Sequence, residues 1–239
     1  KIGVAAGTAV VKATVTADSA ANLVEALKDA TENALTLTVN GATATAANLV
    51  FLDTTTSVDV TVNATEVTGS VADLTKVYVT DKLNFTALGN ENIVIDGTTT
   101  TTQLDTIANA TTGKVTATLD AGTDITDTEV AKLTHVNGTT DVISLTSTEG
   151  TADATALVAL AAKVITADAT AFASVSTITE DTATIGTNGA AVVSALGIAG
   201  NDAAATIAGI ISASSADAIA DATSGVVTAT VTAGTAAAL

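Results

Sequence analysis

The chain has 239 residues, 47% of them hydrophobic, and sets 25 Asp and Glu against eight basic residues, all Lys, for a formal net charge of −17. The lack of Cys removes disulfides, thiolate nucleophiles and Cys-ligated zinc or iron sites, and acidity without Arg opposes nucleic acid, whose binding rests on cationic contacts to phosphate. The hydrophobic fraction excludes disorder, and no apolar run reaches the roughly 18–20 residues of a membrane span, so no membrane insertion is expected.

The opening, KIGVAAGTAVVKATVTADS, has too short an apolar stretch and no cleavage pattern for a signal peptide, so the chain reads as mature or internal. From Val10 the run VVKATVTA alternates Val11, Ala13 and Val15 against Lys12, Thr14 and Thr16, the period of a strand with one buried face. AANLVEALKDA follows with Leu23 and Leu27 at helical spacing. ALTLTVN from Ala34 sets Leu35, Leu37 and Val39 against Thr36, Thr38 and Asn40, and VDVTVN from Val58 continues the theme. SVADLTKVY, with Val71, Leu74 and Val77, predicts a second short helix, and NIVID from Asn92 another strand. QLDTIANA, with Leu104 and Ile107, predicts a third helix, followed by strands at KVTATLD from Lys114, DVISLTS from Asp141 and VVTATVT from Val226. Capping-box spacing marks helix starts at Ser70 with Asp73, Thr100 with Gln103 and Thr126 with Glu129. Gly113 and Gly225 stand where a left-handed residue would end a helix.

The chain also matches itself. VVKATVTADSAANL (10–23) lies over VVTATVTAGTAAAL (226–239) with 10 of 14 positions identical, and IANATTGKVTATLDAGT (107–123) over IADATSGVVTATVTAGT (219–235) with 12 of 17. Strand runs recur at intervals of roughly 22–24 residues, one strand and one short helix each, too little for an independent core. The expected fold is therefore an α/β repeat solenoid of short parallel strands and short helices, with Val, Leu and Ala facing the helix layer and Thr rows facing solvent. Tandem small β-rich domains are the alternative. Residues 1–239 read as one continuous array, and ending on the opening of another unit reads as a piece of a longer chain.

The ATTGKVTATLDAGT and ATSGVVTATVTAGT blocks, with GSVADLTKVY and the following LNFTALGNENIVID, resemble the Ala/Thr/Val-rich tandem repeats of very large acidic bacterial cell-surface proteins, including those of cyanobacteria and other marine bacteria. That resemblance implies export to the cell surface and a structural, adhesive or S-layer-like role. The glycine- and aspartate-rich nonapeptides of RTX proteins are absent.

Few residues carry chemistry. His135, the single histidine, sits in AKLTHVNGTTD at a predicted helix end, where it satisfies terminal carbonyls. No GxSxG, GxxxxGK[ST] or GxGxxG occurs, and GTNGAAVVSALGIAGN (186–201) reads as a close-packed helix turn. LDAGTDITDTEV groups Asp120, Asp124, Asp127 and Glu129, oxygen ligands suited to calcium, although helix N-termini attract carboxylates for electrostatic reasons alone. Asp96–Gly97 and Asn137–Asp141 read as turns. Sequons at Asn63, Asn84, Asn109 and Asn137 follow from the abundance of Thr.

The outward Thr14, Thr16, Thr36, Thr38, Thr61, Thr116, Thr118, Thr228 and Thr230 form the most regular surface. The expected function is a non-enzymatic structural repeat segment of an extracellular assembly (S-layer, filament or large adhesin) that associates with copies of itself. A binding module for ice or cell-surface glycans through the Thr-rich face is the alternative. No cofactor is expected, with calcium at the acidic segment the one candidate.

Overall fold

The computed structural model describes residues 10–30, 33–120, 125–146, 150–163, 172, 175–181 and 189–232. The chain is α/β with mostly parallel strands in four sheets and eight α-helices among the described residues, none long and apolar enough to cross a membrane. It divides into two compact units, one of residues 1–99 and 103–117, the other of residues 100–102 and 118–239.

In the first unit, strands and helices alternate in the order β1 (Lys12–Thr14), α1 (Ala20–Leu27), β2 (Ala34–Thr36), β3 (Thr38–Val39), β4 (Thr43–Thr45), α2 (Ala46–Thr55), β5 (Val60–Val62), β6 (Glu66–Ser70), α3 (Val71–Thr75), β7 (Phe85–Thr86) and β8 (Asn92–Thr99). A single π turn, Lys76–Thr80, prolongs α3. Next come α4 (Thr101–Ala108) and β9 (Val115–Asp120), which carry the chain across the division. β1 pairs with β2, β3 with β5 and β5 with β7, and β4 with β6 and β6 with β8, all parallel. Each ladder steps forward by one strand–helix segment: Lys12 meets Ala34, Thr38 meets Thr61, Thr43 meets Glu66 and Glu66 meets Asn92.

The alternation read in the sequence sets the faces. Leu35, Leu37, Val39, Val60, Val62, Val67, Ile93 and Ile95 of the strand segments and Leu23, Leu27, Leu49, Leu52, Leu74, Leu104 and Ile107 of the helices are all buried. Each such side chain contributes roughly 1.5–3 kcal/mol. The expectation of one strand per helix is corrected here, because three strands (β2, β3 and β4) precede α2 and two precede each of α3 and α4. The run ALTLTVN, expected as one strand, is divided between two sheets, β2 beside β1 and β3 beside β5, with Leu37 between them; at Asn40–Gly41 the chain then turns into β4, with Gly41 at φ +129°.

The second unit contains α5 (Asp127–Ala131), β10 (Val142–Thr146) beside β9, β11 (Thr151–Asp153), α6 (Ala154–Ala161), β12 (Thr177–Asp181), α7 (Ala190–Ala199), β13 (Ala204–Ile211), α8 (Ala213–Asp221) and β14 (Val227–Val231). β11, β12, β13 and β14 form one parallel sheet in chain order, in which Thr151 meets Thr177, Thr177 meets Ala204, and Ala205 meets Val227. Leu157, Leu160, Ile178, Val192, Leu196, Ile207, Ile211 and Ile219 fill its core.

Hydroxyl and carboxylate caps start the helices. Ser19, Thr45, Ser70, Thr126, Asp153 and Ser212 each accept from the amide three residues on. At Ser70 the box is reciprocal: its Oγ accepts from Asp73 N at 3.2 Å and donates to Asp73 Oδ2 at 2.8 Å. α7 lies between the left-handed Gly189 and Gly200, in the segment 186–201 read as a helix turn.

Two glycine assignments are corrected. Gly113 and Gly225 are not left-handed; each is glycine because a β-carbon would fall 2.2 Å from the carbonyl oxygen of Glu91, or 2.5 Å from that of Ala203. Asp96–Gly97 is not a turn but the middle of β8, where Gly97 takes φ +77°. Asn137–Asp141 is a turn as expected, closed by Asp141 N donating to Asn137 O at 3.0 Å.

Candidate functional site

Burying a carboxylate is unfavourable unless both oxygens find donors, so the buried acids of this acidic chain are the places to look. Among the described residues they are Glu91, Asp141 and Glu180. Glu180 Oε2 accepts from Thr155 N at 3.1 Å and Oε1 from Asp181 N at 2.9 Å; burial pushes its carboxyl above the usual range. Asp141 Oδ2 accepts from Asn137 N at 2.7 Å and Oδ1 from Thr140 Oγ1 at 3.4 Å.

Glu91 differs. It is 1% exposed and stands at the end of the β7–β8 loop, with its carbonyl held by Thr111 Oγ1 at 2.7 Å. Its Oε2 accepts from Gly89 N at 2.8 Å and from the Tyr78 hydroxyl at 3.2 Å, whereas its Oε1 is buried with no hydrogen-bond partner. A polar atom left in that state costs about 1–3 kcal/mol, and more when it carries charge. Tyr78 projects from the π turn that follows α3 and is 1% exposed. Burial first, and the adjacent Glu91 charge second, push its phenol far above the usual tyrosine range.

Glu91 also forms part of the wall of a cleft of about 470 Å³, lined by Val62, Asn63, Ala64 and Thr65 after β5 and by Ala87, Asn90, Glu91 and Asn92 before β8. Asn63 Nδ2 donates to Asn40 Oδ1 at 3.0 Å, and Asn92 Oδ1 accepts from Lys114 N at 3.0 Å. The backbone at the rim is strained: Ala87 takes φ +64°, a left-handed conformation that costs a non-glycine residue roughly 1–2 kcal/mol. Such strain persists where surrounding structure imposes it and gathers at ligand sites.

Of the acidic segment proposed for calcium, Asp124 and the side chain of Asp120 lie outside the described residues. Asp127 opens α5 and accepts from Thr155 Oγ1 at 3.1 and 3.2 Å. Glu129 accepts at Oε2 from Thr101 Oγ1 at 2.5 Å and pairs through Oε1 with Lys132; the Lys132 bond, then the Thr101 bond, lowers its pKa. Among the described residues no three His, Cys, Asp or Glu side chains group as a metal site. His135 is exposed beyond the end of α5, with Nδ1 at 3.0 Å from Thr134 Oγ1.

The expected Thr rows exist as short ladders. Thr14 lies beside Thr36, Thr38 beside Thr61, and Thr206 beside Thr228. Thr86 Oγ1 donates to Thr61 Oγ1 at 3.0 Å, and Thr118 Oγ1 meets Ser144 Oγ at 2.9 Å. On β4, β6 and β8 the row through Thr43 is broken, with Glu66 beside Thr43 and Asn92 beside Glu66.

Sequence reasoning did not single out Glu91 or Tyr78. A signal was present: laying the matching blocks back to Gly89 and Asn201 sets Glu91 against Ala203, a charge against a methyl at the same place. No family model matches the chain, and no curated protein or solved structure is significantly similar to it.

Proposed function

We propose that the chain is a stretch of α/β solenoid serving as a non-enzymatic structural segment of an extracellular or cell-surface assembly, an S-layer, filament or large adhesin, that associates with copies of itself. The observation that carries this reading is the forward step of the parallel ladders. Partner residues lie between 20 positions apart, as in Ile211 and Val231, and 27 apart, as in Thr177 and Ala204, so each segment is bonded to the next along the chain. An array of that kind stacks small units that could not bury their apolar faces alone. Exposed Val226 (72%), just before β14, and Val231 on it, with half-exposed Val227 and Ala229, give self-association an apolar strand to use.

Electron microscopy of the purified protein at high concentration, with and without a chelator, tests the proposal. Regular lattices or filaments are expected. Isolated monomers in both conditions would overturn self-association and favour a binding module that presents the Thr38–Thr61–Thr86 face to ice or glycans.

A further inference from the structure

We propose that the cleft over Glu91 binds a divalent cation of the calcium class, with the Glu91 carboxylate as its charged ligand. The second unit builds the corresponding turn without a carboxylate. The carbonyl and glycine-amide bonds of the turn around Glu91 recur around Ala203. Thr223 Oγ1 donates to Ala203 O at 2.6 Å as Thr111 Oγ1 does to Glu91 O, and Gly225 N donates to Thr223 Oγ1 as Gly113 N does to Thr111 Oγ1. An alanine methyl, 1% exposed, suffices there. The first unit instead buries an acid, gives one oxygen two donors and leaves the other with none.

What would complete that oxygen follows from its surroundings. No cleft-lining residue is basic, and Glu91 carries the only formal charge among them, so the electrostatic demand is for a cation. The other side chains with oxygens to offer, Asn63, Thr65, Asn90 and Asn92, are neutral amides and a hydroxyl. Calcium accepts such mixed oxygen sets with irregular geometry, whereas magnesium demands a near-ideal octahedron and zinc prefers nitrogen and sulfur. A single carboxylate implies weak binding, about 10⁻⁴–10⁻³ M, the range of extracellular calcium modules. The ion would tie the residues after β5 to the loop before β8. This inference is independent of the repeat reading and of the acidic segment around Asp127.

The composition supplies a selective probe, because Tyr78 is the only tyrosine and there is no tryptophan. Terbium, a luminescent stand-in for calcium, is titrated into the full chain while the phenol is excited, so emission arises only from ions held near Tyr78. Saturable emission is expected, displaced by millimolar calcium and reduced at least tenfold in Glu91→Gln, which keeps the side-chain volume. Glu91→Ala, carrying the residue that Ala203 supplies in the second unit, gives a second variant, and circular dichroism checks that each is folded. Absence of sensitised emission at millimolar terbium, emission that calcium does not displace, or emission that persists in a folded Glu91 variant would each overturn the proposal.

Discussion

Residues 89–120 and 201–232 carry one local structure in two sequences. In each, an eight-residue strand (β8 or β13) contains a glycine at its sixth position in a left-handed conformation, Gly97 at φ +77° or Gly209 at φ +106°. A helix follows, α4 or α8, then a Thr-x-Gly turn whose middle residue donates to a carbonyl of the preceding segment: Thr112 N to Gly89 O at 2.8 Å, Ser224 N to Asn201 O at 2.9 Å. Outside these anchors the two diverge freely, with Ile93 against Ala205 and Leu104 against Ala216. The difference teaches which residues are required by backbone geometry and which fill whatever space their neighbours leave.

The sharpest way to break the comparison is to exchange the residues at its one charged mismatch. Ala203→Glu buries an acid where no tyrosine hydroxyl can meet it, Tyr78 being the only tyrosine, and where Asn201 N already donates to Leu196 O. It is expected to destabilise the second unit by about 4 kcal/mol in urea unfolding, the scale of an unpaired buried charge. Gly113→Ala comes next. Its β-carbon would meet backbone atoms of Glu91 and Asn92, and a loss of about 3 kcal/mol is expected, with Gly225→Ala slightly milder. Gly97→Ala, with nothing within 4 Å but a positive φ, should cost only about 1 kcal/mol.

Replacing the bridging hydroxyls is the finer test of equivalence. Thr111→Val and Thr223→Val each remove one bond to a carbonyl and one from a glycine amide, and each should cost about 1–2 kcal/mol. Unequal losses would mean that the two turns only look alike. Removing the cap in Ser212→Ala should cost about 1 kcal/mol, read as a lower thermal midpoint.

Alkaline titration separates the two regions without mutation. Tyr78 keeps its proton in the fold beyond the ordinary value of 10.0, so above that pH the unfolded chain binds fewer protons than the native one. Stability is then unaffected by this group below pH 10.0 and falls as pH rises past it. The tyrosinate absorbance should appear only together with unfolding. A tyrosinate signal that develops while the circular dichroism stays native would show Tyr78 to be accessible.

Much of this is legible in the sequence. Leu35, Leu37 and Val39 alternate with polar neighbours, and a period of two fixes which face is buried whatever the strand pairs with. What escaped was information carried by position in space. The division of ALTLTVN into β2 and β3, in different sheets, leaves its alternation intact and so does not register in the pattern, and β4 lies beyond a corner at Gly41 that alternation does not register either. β12 and β13 escaped because TITED and AATIAGII lack a sustained apolar–polar alternation; Gly209 and a register shift between Thr206 and Ile210 interrupt the latter. Gly113 was read by its place after a helix, whereas its identity is set by a carbonyl 22 residues earlier. Glu91 escaped for a similar reason, since its burial comes from the side chains around it and not from its own sequence context.

The short reach of the ladders bears on how the chain is made. With strand partners 20 to 27 residues apart, a strand can complete its pairing as soon as the following segment has been synthesised. Contacts of that span close small loops, whose entropic cost is modest and which favour fast folding. Each pairing can therefore form in the direction of translation, as soon as the segment that completes it has been made.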